Sequence, residues 1–309
     1  MITEKIIIGK NSNYPLNGCL TLPDNTDSPV PAVVFVHGSG SSNMDEKVGK
    51  ITPFKDLAEG LAKHGIASIR YDKRSFTHGA KMVRDKNLII TVKEESIDDA
   101  ILATEILKSD PRIDWENIFI VGHSMGGMLA PRIDAEGGNY KGLIIMAGTP
   151  RKLEEVMMDQ NEQAMESLGS LAKKLAAKQI EQLQYTFEHL YDISDEEAKR
   201  RKFAGGTTLY YLKEMGEHAA PKYLKNLNKP MLIMQGEKDF QVNIDKDFGT
   251  YKALLANKPN VTFKLYENLN HTFVPALYES ISKAKKEYNV ERHIGEDVIA
   301  DIANWIKSV

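Results

Sequence analysis

The chain alternates short runs of apolar, often β-branched residues with longer segments whose apolar positions recur every three or four residues. That alternation is the pattern of a mostly parallel sheet covered by helices, an α/β fold class. The runs with strand character are 6–9, 19–22, 32–36, 66–71, 117–121, 143–147, 231–235 and 261–266. The first two are expected to pair antiparallel at the N-terminal edge. Several of the others are nearly continuous apolar runs, as strands buried on both faces should be.

The helical segments carry their own start and stop signals. Residues 53–64 place Phe54, Leu57, Ala58, Leu61 and Ala62 on one face and end at Gly65, which suits a left-handed C-terminal turn. Ser96, with Asp99 three residues later, has the form of an N-cap opening a helix through Leu107, and Asp110-Pro111 stops it. Residues 295–307 space Val298, Ile299, Ile302, Trp305 and Ile306 as a single apolar face for packing on the sheet.

Between residues 151 and 229 the alternation stops, leaving helical patterns without a strand. This stretch holds 13 basic and 13 acidic residues, so its charge runs suit solvated helix faces better than a nucleic-acid patch. Ser194-Asp-Glu-Glu197 has the capping-box form, while Gly205-Gly206 and Pro221 punctuate the segment. It is too long for a plain loop in a compact domain. The expected organisation is therefore a core formed by 1–150 and 230–309, with 151–229 as a helical insertion.

Composition narrows the classes. With 309 residues, 42% hydrophobic and 27% charged, the chain can bury a large core without disulfides or metal staples, which excludes disordered, collagen-like and disulfide-rich classes. A net charge of -3 leaves no basic footprint for nucleic acid, and the expected partner is a small or weakly charged molecule. Cys19 is the only cysteine, so the chain alone cannot form a disulfide or a Cys-based zinc or iron–sulfur site. The opening residues interrupt their isoleucines with Glu4 and Lys5 and are too short for a signal-peptide core. No apolar run approaches a membrane span. These features lead to the expectation of a cytoplasmic protein without membrane or nucleic-acid partners; monomer and homodimer stay equally open.

The chemistry concentrates in Gly122-His-Ser124-Met-Gly126-Gly127, which follows an apolar strand and opens a helix. A serine on so sharp a turn needs glycine two residues before and after it, because side chains there would collide. The turn also sets its hydroxyl at a helix N-terminus, where free amides face developing negative charge. The base is expected at His271, in a loop after the last strand, and the orienting acid at Asp239, after the strand before it. Glu237 is the rival acid, but it follows Gly236 too closely to leave the strand end. The backbone amides of Met125 and of Ser39, in the small-residue turn His37-Gly38-Ser39-Gly40, are the expected oxyanion donors. His37 is assigned a structural role within its loop. Ser39, Ser41 and Ser42 lack the sharp turn that a nucleophile requires.

These motifs, in the order Ser124, Asp239, His271, resemble the α/β-hydrolase superfamily. His37-Gly38, Arg70-Tyr-Asp72-Lys-Arg74, Gly236-Glu-Lys-Asp239 and Asn270-His271 extend the resemblance over nearly the whole chain. Its finer features are similar to bacterial carboxylesterases of the serine-aminopeptidase-like and cinnamoyl or feruloyl esterase groups. The resemblance implies a helical lid between strands six and seven, matching the insertion after Pro150. Those relatives commonly follow strand four with Asp-x-Arg-Gly-x-Gly-x-Ser, where this chain has Asp72-Lys-Arg74-Ser75-Phe76-Thr77-His78-Gly79. Asp72 and Arg74 are expected to pair with each other. The placement of Phe76 and His78 near the cleft leaves a changed pocket wall and plain loop drift equally open.

The insertion also carries Tyr185, Phe187, His189, Tyr191, Phe203, Tyr210 and Tyr211 with Met157, Met158, Met165 and Met215, chiefly as its own core and in part as a pocket lining. The expected activity is that of a serine carboxylesterase acting through an acyl-enzyme on Ser124, on small to medium esters of aryl or hydroxycinnamoyl type, with no metal or organic cofactor. A serine peptidase or thioesterase with the same triad, and a non-catalytic ligand receptor on a hydrolase scaffold, are the alternatives.

Overall fold

A computed structural model describes residues 1–309. Its eight strands are β1 Ile2–Ile8, β2 Leu16–Leu22, β3 Val30–Val36, β4 Ala67–Tyr71, β5 Ile113–His123, β6 Leu143–Met146, β7 Met231–Gly236 and β8 Val261–Tyr266. They form one sheet in the order β1-β2-β4-β3-β5-β6-β7-β8. β1 pairs antiparallel with β2 and β2 antiparallel with β4, while every pair from β4 through β8 is parallel. The sequence pattern placed all eight strands. It shortened β2 and β5, because only their later parts are buried on both faces, and β1, an edge strand whose only buried residue is Ile8; the first half of β5 exposes Trp115 and Glu116.

The helices before the insertion are α1 Pro53–Lys63, α2 Arg74–Arg84, α3 Asp98–Ser109 and α4 Met125–Ile133. Between β6 and β7 come α5 Leu153–Glu166, α6 Ser170–Glu188, α7 Asp195–Arg200, α8 Leu209–Glu217 and α9 Ala220–Leu224. α10 Gly249–Leu254, α11 Ala284–Tyr288 and α12 Glu296–Ser308 follow. None is long and apolar enough to cross a membrane.

Strand periodicity sorts the core into two layers. Val33, Phe35, Phe119, Val121, Ile144 and Met146 turn to one face, where they pack with Phe54 and Leu57 of α1 and Val298 and Ile302 of α12. Val34, Val36, Ile120, Leu143 and Ile145 turn to the other, against Ala100 and Leu107 of α3, Leu129 of α4 and Tyr251 of α10. The insertion joins this second layer through Leu209, Leu212, Met215 and Leu224. Fully burying one such aliphatic or aromatic side chain contributes about 1.5–3 kcal/mol, so each layer holds its helices firmly.

Three local expectations are corrected. Ser96 does not cap a helix: the helix opens earlier, through a wide turn at Lys93–Ile97 that buries Ser96. Its cap is Thr91, whose Oγ1 accepts from the Lys93 amide at 3.1 Å while Glu94 reaches back to the Thr91 amide at 2.9 Å. Asp72 and Arg74 do not pair with each other. Asp72 accepts from the Met44 amide at 2.8 Å, and Arg74 Nε donates to Asp99 at 3.0 Å, because Arg74 opens α2 and is turned toward α3. Finally, 74–84 is helical, with Phe76 53% exposed and His78 Nε2 2.7 Å from the Pro15 carbonyl, so neither side chain walls the cleft.

Arg74 and Asp99 are both buried, and burial pushes the Asp99 carboxyl up to about 6 even though Arg74 opposes it. Breaking such a pair strands a desolvated partner, whereas replacing both members with apolar groups is often nearly neutral. Arg74→Met is expected to lower the unfolding free energy by about 3–5 kcal/mol, with most of it restored in Arg74→Met/Asp99→Leu. Urea titration of the three proteins checks this; a single variant within about 1 kcal/mol of wild type contradicts it.

Candidate active site

β5 ends at His123 and α4 begins at Met125, so Ser124 alone turns the chain, at φ 53° and ψ −119°. A positive φ costs an L residue about 1–3 kcal/mol and persists only where the surroundings enforce it. Here they do. A Cβ on Gly122 would strike the Gly126 carbonyl, and one on Gly126 would strike the Val36 carbonyl of the adjacent strand. The Ser124 amide is tied to the Met146 carbonyl at 2.9 Å, and the Ser124 carbonyl accepts from Gly127 at 2.9 Å. Met125 supplies the first amide of α4, which has no acceptor within its own helix.

Asp239 lies in the turn after β7 with a fully buried side chain. One oxygen accepts from His271 Nδ1 at 2.7 Å and from Gln235 Nε2 at 2.8 Å; the other accepts from the Gln241 and Val242 amides at 2.7 and 3.0 Å. A carboxylate with four donors has one orientation, and it fixes His271 as the tautomer with hydrogen on Nδ1. Glu237 is exposed, and its amide continues the ladder by donating to Tyr266 O at 2.8 Å, so it stands apart from His271.

His271 is held by its neighbours. Buried Asn270 accepts from the Thr272 amide at 2.9 Å and donates to Glu287 at 2.6 Å, and Glu287 is paired with Arg292 at 2.9 Å. The His271 ring lies 4.7 Å, centroid to centroid, from that of His123, the residue before Ser124. No hydrogen bond joins the Ser124 hydroxyl to the imidazole; such bonds often tighten only with substrate in place.

A buried ion pair links these pieces. His123 Nε2 donates to the His271 carbonyl at 2.8 Å, and its Nδ1 stands 3.0 Å from Glu46 Oε2. Glu46 Oε1 accepts from the Gly38 amide at 2.6 Å. The loop after β3, the turn at Ser124 and the His271 loop thus meet on two side chains. Burial disfavours the charged imidazole, but Glu46 outweighs it and raises the His123 pKa; burial likewise opposes the Glu46 carboxylate, yet His123 holds it below its ordinary value. His37 is the opposite case. Burial lowers it to about 4, leaving a neutral ring whose Nε2 is 3.0 Å from Asn43 O, within its own loop.

A cavity of about 350 Å³ opens beside Ser39, Gly40 and Met125. Its walls come from Met82 and Val83 of α2 and from Met157, Phe203 and Tyr211 of the insertion. Ser75, Gly79, Met82 and Val83 line it at helical spacing, which turns Phe76 and His78 to the other side of α2. Of the other insertion residues, Phe187 and Met215 are buried in the core, Tyr185 and His189 pack with tilted rings and exposed side chains, and Tyr191 bonds Glu154. No cluster of His, Cys, Asp or Glu is arranged to hold a metal ion.

Neither Glu46 nor Lys73 was visible as a site residue in the sequence. Each sits among other charges, Glu46 between Asp45 and Lys47 and Lys73 between Asp72 and Arg74, and only the fold reveals which of them are buried and what each faces. His123 lay inside the serine motif, but nothing in its spacing named a partner.

The sheet order, the strand-to-helix turn at Ser124 and the positions of Asp239 and His271 define an α/β-hydrolase fold. The sequence profile of the serine aminopeptidase, S33 family matches residues 27–275, and the chain belongs to that family. It is 35% identical over 291 residues to Esterase EstD of Thermotoga maritima, covering 94% of this chain and 65% of that protein. The chain thus spans just under two thirds of that relative's length. Among solved structures it is similar to an esterase of Pyrococcus furiosus (TM-score 0.57, 15% identity, 99% of this chain and 91% of the other). It is also similar to Est1E from Butyrivibrio proteoclasticus with ferulic acid bound (TM-score 0.58, 14% identity, 98% and 100%). At such identities these two show the shared fold alone.

The Glu46–His123 pair has a defined pH window. His123, raised above 6.5, stabilises fully below that value and loses its contribution as pH rises through its folded pKa; Glu46, lowered below 4.5, stabilises above that value. The advantage of wild type over Glu46→Gln is therefore expected to be full between 4.5 and 6.5 and to shrink at alkaline pH. Urea titrations across pH check it, and an advantage that grows above neutrality contradicts it.

Proposed function

We propose that the chain is a serine carboxylesterase that forms an acyl-enzyme on Ser124. The observation that carries this reading is the buried Asp239–His271 couple, 2.7 Å apart, set against a serine held at positive φ on a helix N-terminus. Asp239 orients the imidazole and stabilises it once protonated. His271 takes the Ser124 proton as the hydroxyl attacks the ester carbonyl, then returns it to the departing alcohol. The amides of Met125 and Ser39 receive the oxyanion. Water repeats the cycle on the acyl-enzyme.

The insertion serves in this reading as a lid over the acyl pocket. A cavity of about 350 Å³ is small for a ligand site and largely apolar, which suits an aryl or hydroxycinnamoyl-type acyl group of modest size. Its chemistry favours esters over amino-terminal peptides. Glu95 is the sole charged residue in the lining, and its carboxylate is already engaged by Lys73 and Tyr211, leaving no free anion for a substrate ammonium.

Ser124→Ala is expected to remove p-nitrophenyl ester turnover by at least about 10³-fold, and Asp239→Asn to lower kcat by about 10³–10⁴-fold. Glu237→Gln stays within about twofold of wild type. Retained turnover in a pure Ser124→Ala preparation contradicts the nucleophile. A large loss in Glu237→Gln with none in Asp239→Asn exchanges the acids. On matched substrates, p-nitroanilides are cleaved far more slowly than p-nitrophenyl esters; equal rates favour a peptidase.

A further inference from the structure

One buried cation takes no part in the acyl transfer just described. Lys73, which directly precedes α2, is 2% exposed, and its ammonium is committed in three directions. It donates to the Gly38 carbonyl at 2.9 Å and to the Gly40 carbonyl at 3.0 Å, and it faces Glu95 Oε1 at 3.5 Å. Glu95 Oε2 accepts a 2.6 Å hydrogen bond from Tyr211, whose hydroxyl also lies 3.7 Å from Met125 Sδ. Burying an ammonium costs several kcal/mol unless its pairing is good, so apolar packing alone gives no reason for a lysine here.

Peptide geometry supplies the reason. The Gly38 carbonyl and the Ser39 N–H belong to one planar trans unit, so they point in opposite directions. A group that fixes the carbonyl on one side fixes the amide on the other. Lys73 holds this carbonyl and also the Gly40 carbonyl, so the loop is pinned on both sides of Ser39 and the peptide cannot flip without breaking a charge-assisted bond. The same bond polarises the unit and strengthens its N–H as a donor. Glu95 neutralises the lysine, and Tyr211 of α8 connects the pair to the insertion.

We propose that Lys73 is a positioning residue that aims the Ser39 amide at the substrate oxyanion, with Glu95 as its counter-ion and Tyr211 as the clasp from the insertion. This rests on the esterase reading above. Lys73 touches no reacting atom. Its contribution is greatest where negative charge is greatest, in the tetrahedral intermediate, and small in the ester ground state.

The test compares wild type, Lys73→Met, Glu95→Gln and Ser124→Ala on a p-nitrophenyl ester. It also measures inhibition by an aryl trifluoromethyl ketone, which forms an oxyanionic adduct on a serine. Lys73→Met is expected to lower kcat about 10²–10³-fold with KM changed less than about threefold, and to weaken the ketone by the same factor as kcat. Glu95→Gln shows the same split at about tenfold, and it decides the matter if Lys73→Met does not fold. A folded Lys73→Met protein with wild-type kcat, or a loss carried by KM while the ketone binds unchanged, overturns the proposal. So does wild-type kcat in Glu95→Gln when Lys73→Met is unfolded. Activity lost in Ser124→Ala but kept in Lys73→Met defeats this inference alone; activity kept in Ser124→Ala defeats the esterase reading and this inference with it.

Discussion

Ser124 occupies a backbone conformation that few side chains adopt, and the sheet around it is built so that the chain has no other way to turn. The register that sets Val36 opposite Gly122 brings the end of β3 against the start of α4, leaving no room for a side chain at Gly126. The same register brings the loop after β3 beside Met125, so Ser124 and the Ser39 and Met125 amides are located by one strand pairing. Parallel neighbours β6 and β7 then deliver, at the same sheet edge, the Met146 carbonyl that ties down Ser124 and the turn that holds Asp239.

Outside that edge, loops are held by buried charge. Glu46 with His123, Lys73 with Glu95 and Arg151 with Asp247 each join segments distant in sequence. Pairs of this kind add little net stability compared with apolar packing, since desolvation consumes most of their attraction. What they contribute is direction. A hydrophobic contact tolerates rotation, whereas a carboxylate that receives several donors accepts one pose, and amides and imidazoles that act on a carbonyl need one pose. Arg151 and Asp247 do the same for the entry to the insertion, where Thr149 and Asp159 complete the cluster.

Much of this was legible in the sequence, for physical reasons. Strands buried on both faces declare themselves as apolar runs, and the turn at Ser124 declares itself because only glycine fits at Gly122 and Gly126. Asp239 and His271 were located by their places after strands. The sequence does not show which charges pair across the fold: Asp72 is the near partner offered to Arg74, but α2 and α3 bring it to Asp99. Ser96 with Asp99 competes with Thr91-Val-Lys-Glu94, which has the capping-box form, and the burial of Ser96 decides for Thr91. Helical phase decided the pocket wall, placing Met82 and Val83 inward and Phe76 and His78 outward. That phase is hidden in the sequence, where Asp72–Gly79 reads as a loop after the fourth strand.

The proposed mechanism requires that Ser124 become acylated and that turnover pass through this adduct. Rapid acid quenching of the protein with p-nitrophenyl acetate, followed by mass spectrometry of its peptides, tests it most directly. One acetyl group is expected on the peptide containing Ser124, formed and lost at rates that match turnover and absent in Ser124→Ala. Turnover with no adduct, or an adduct on another residue that keeps pace with it, contradicts the account.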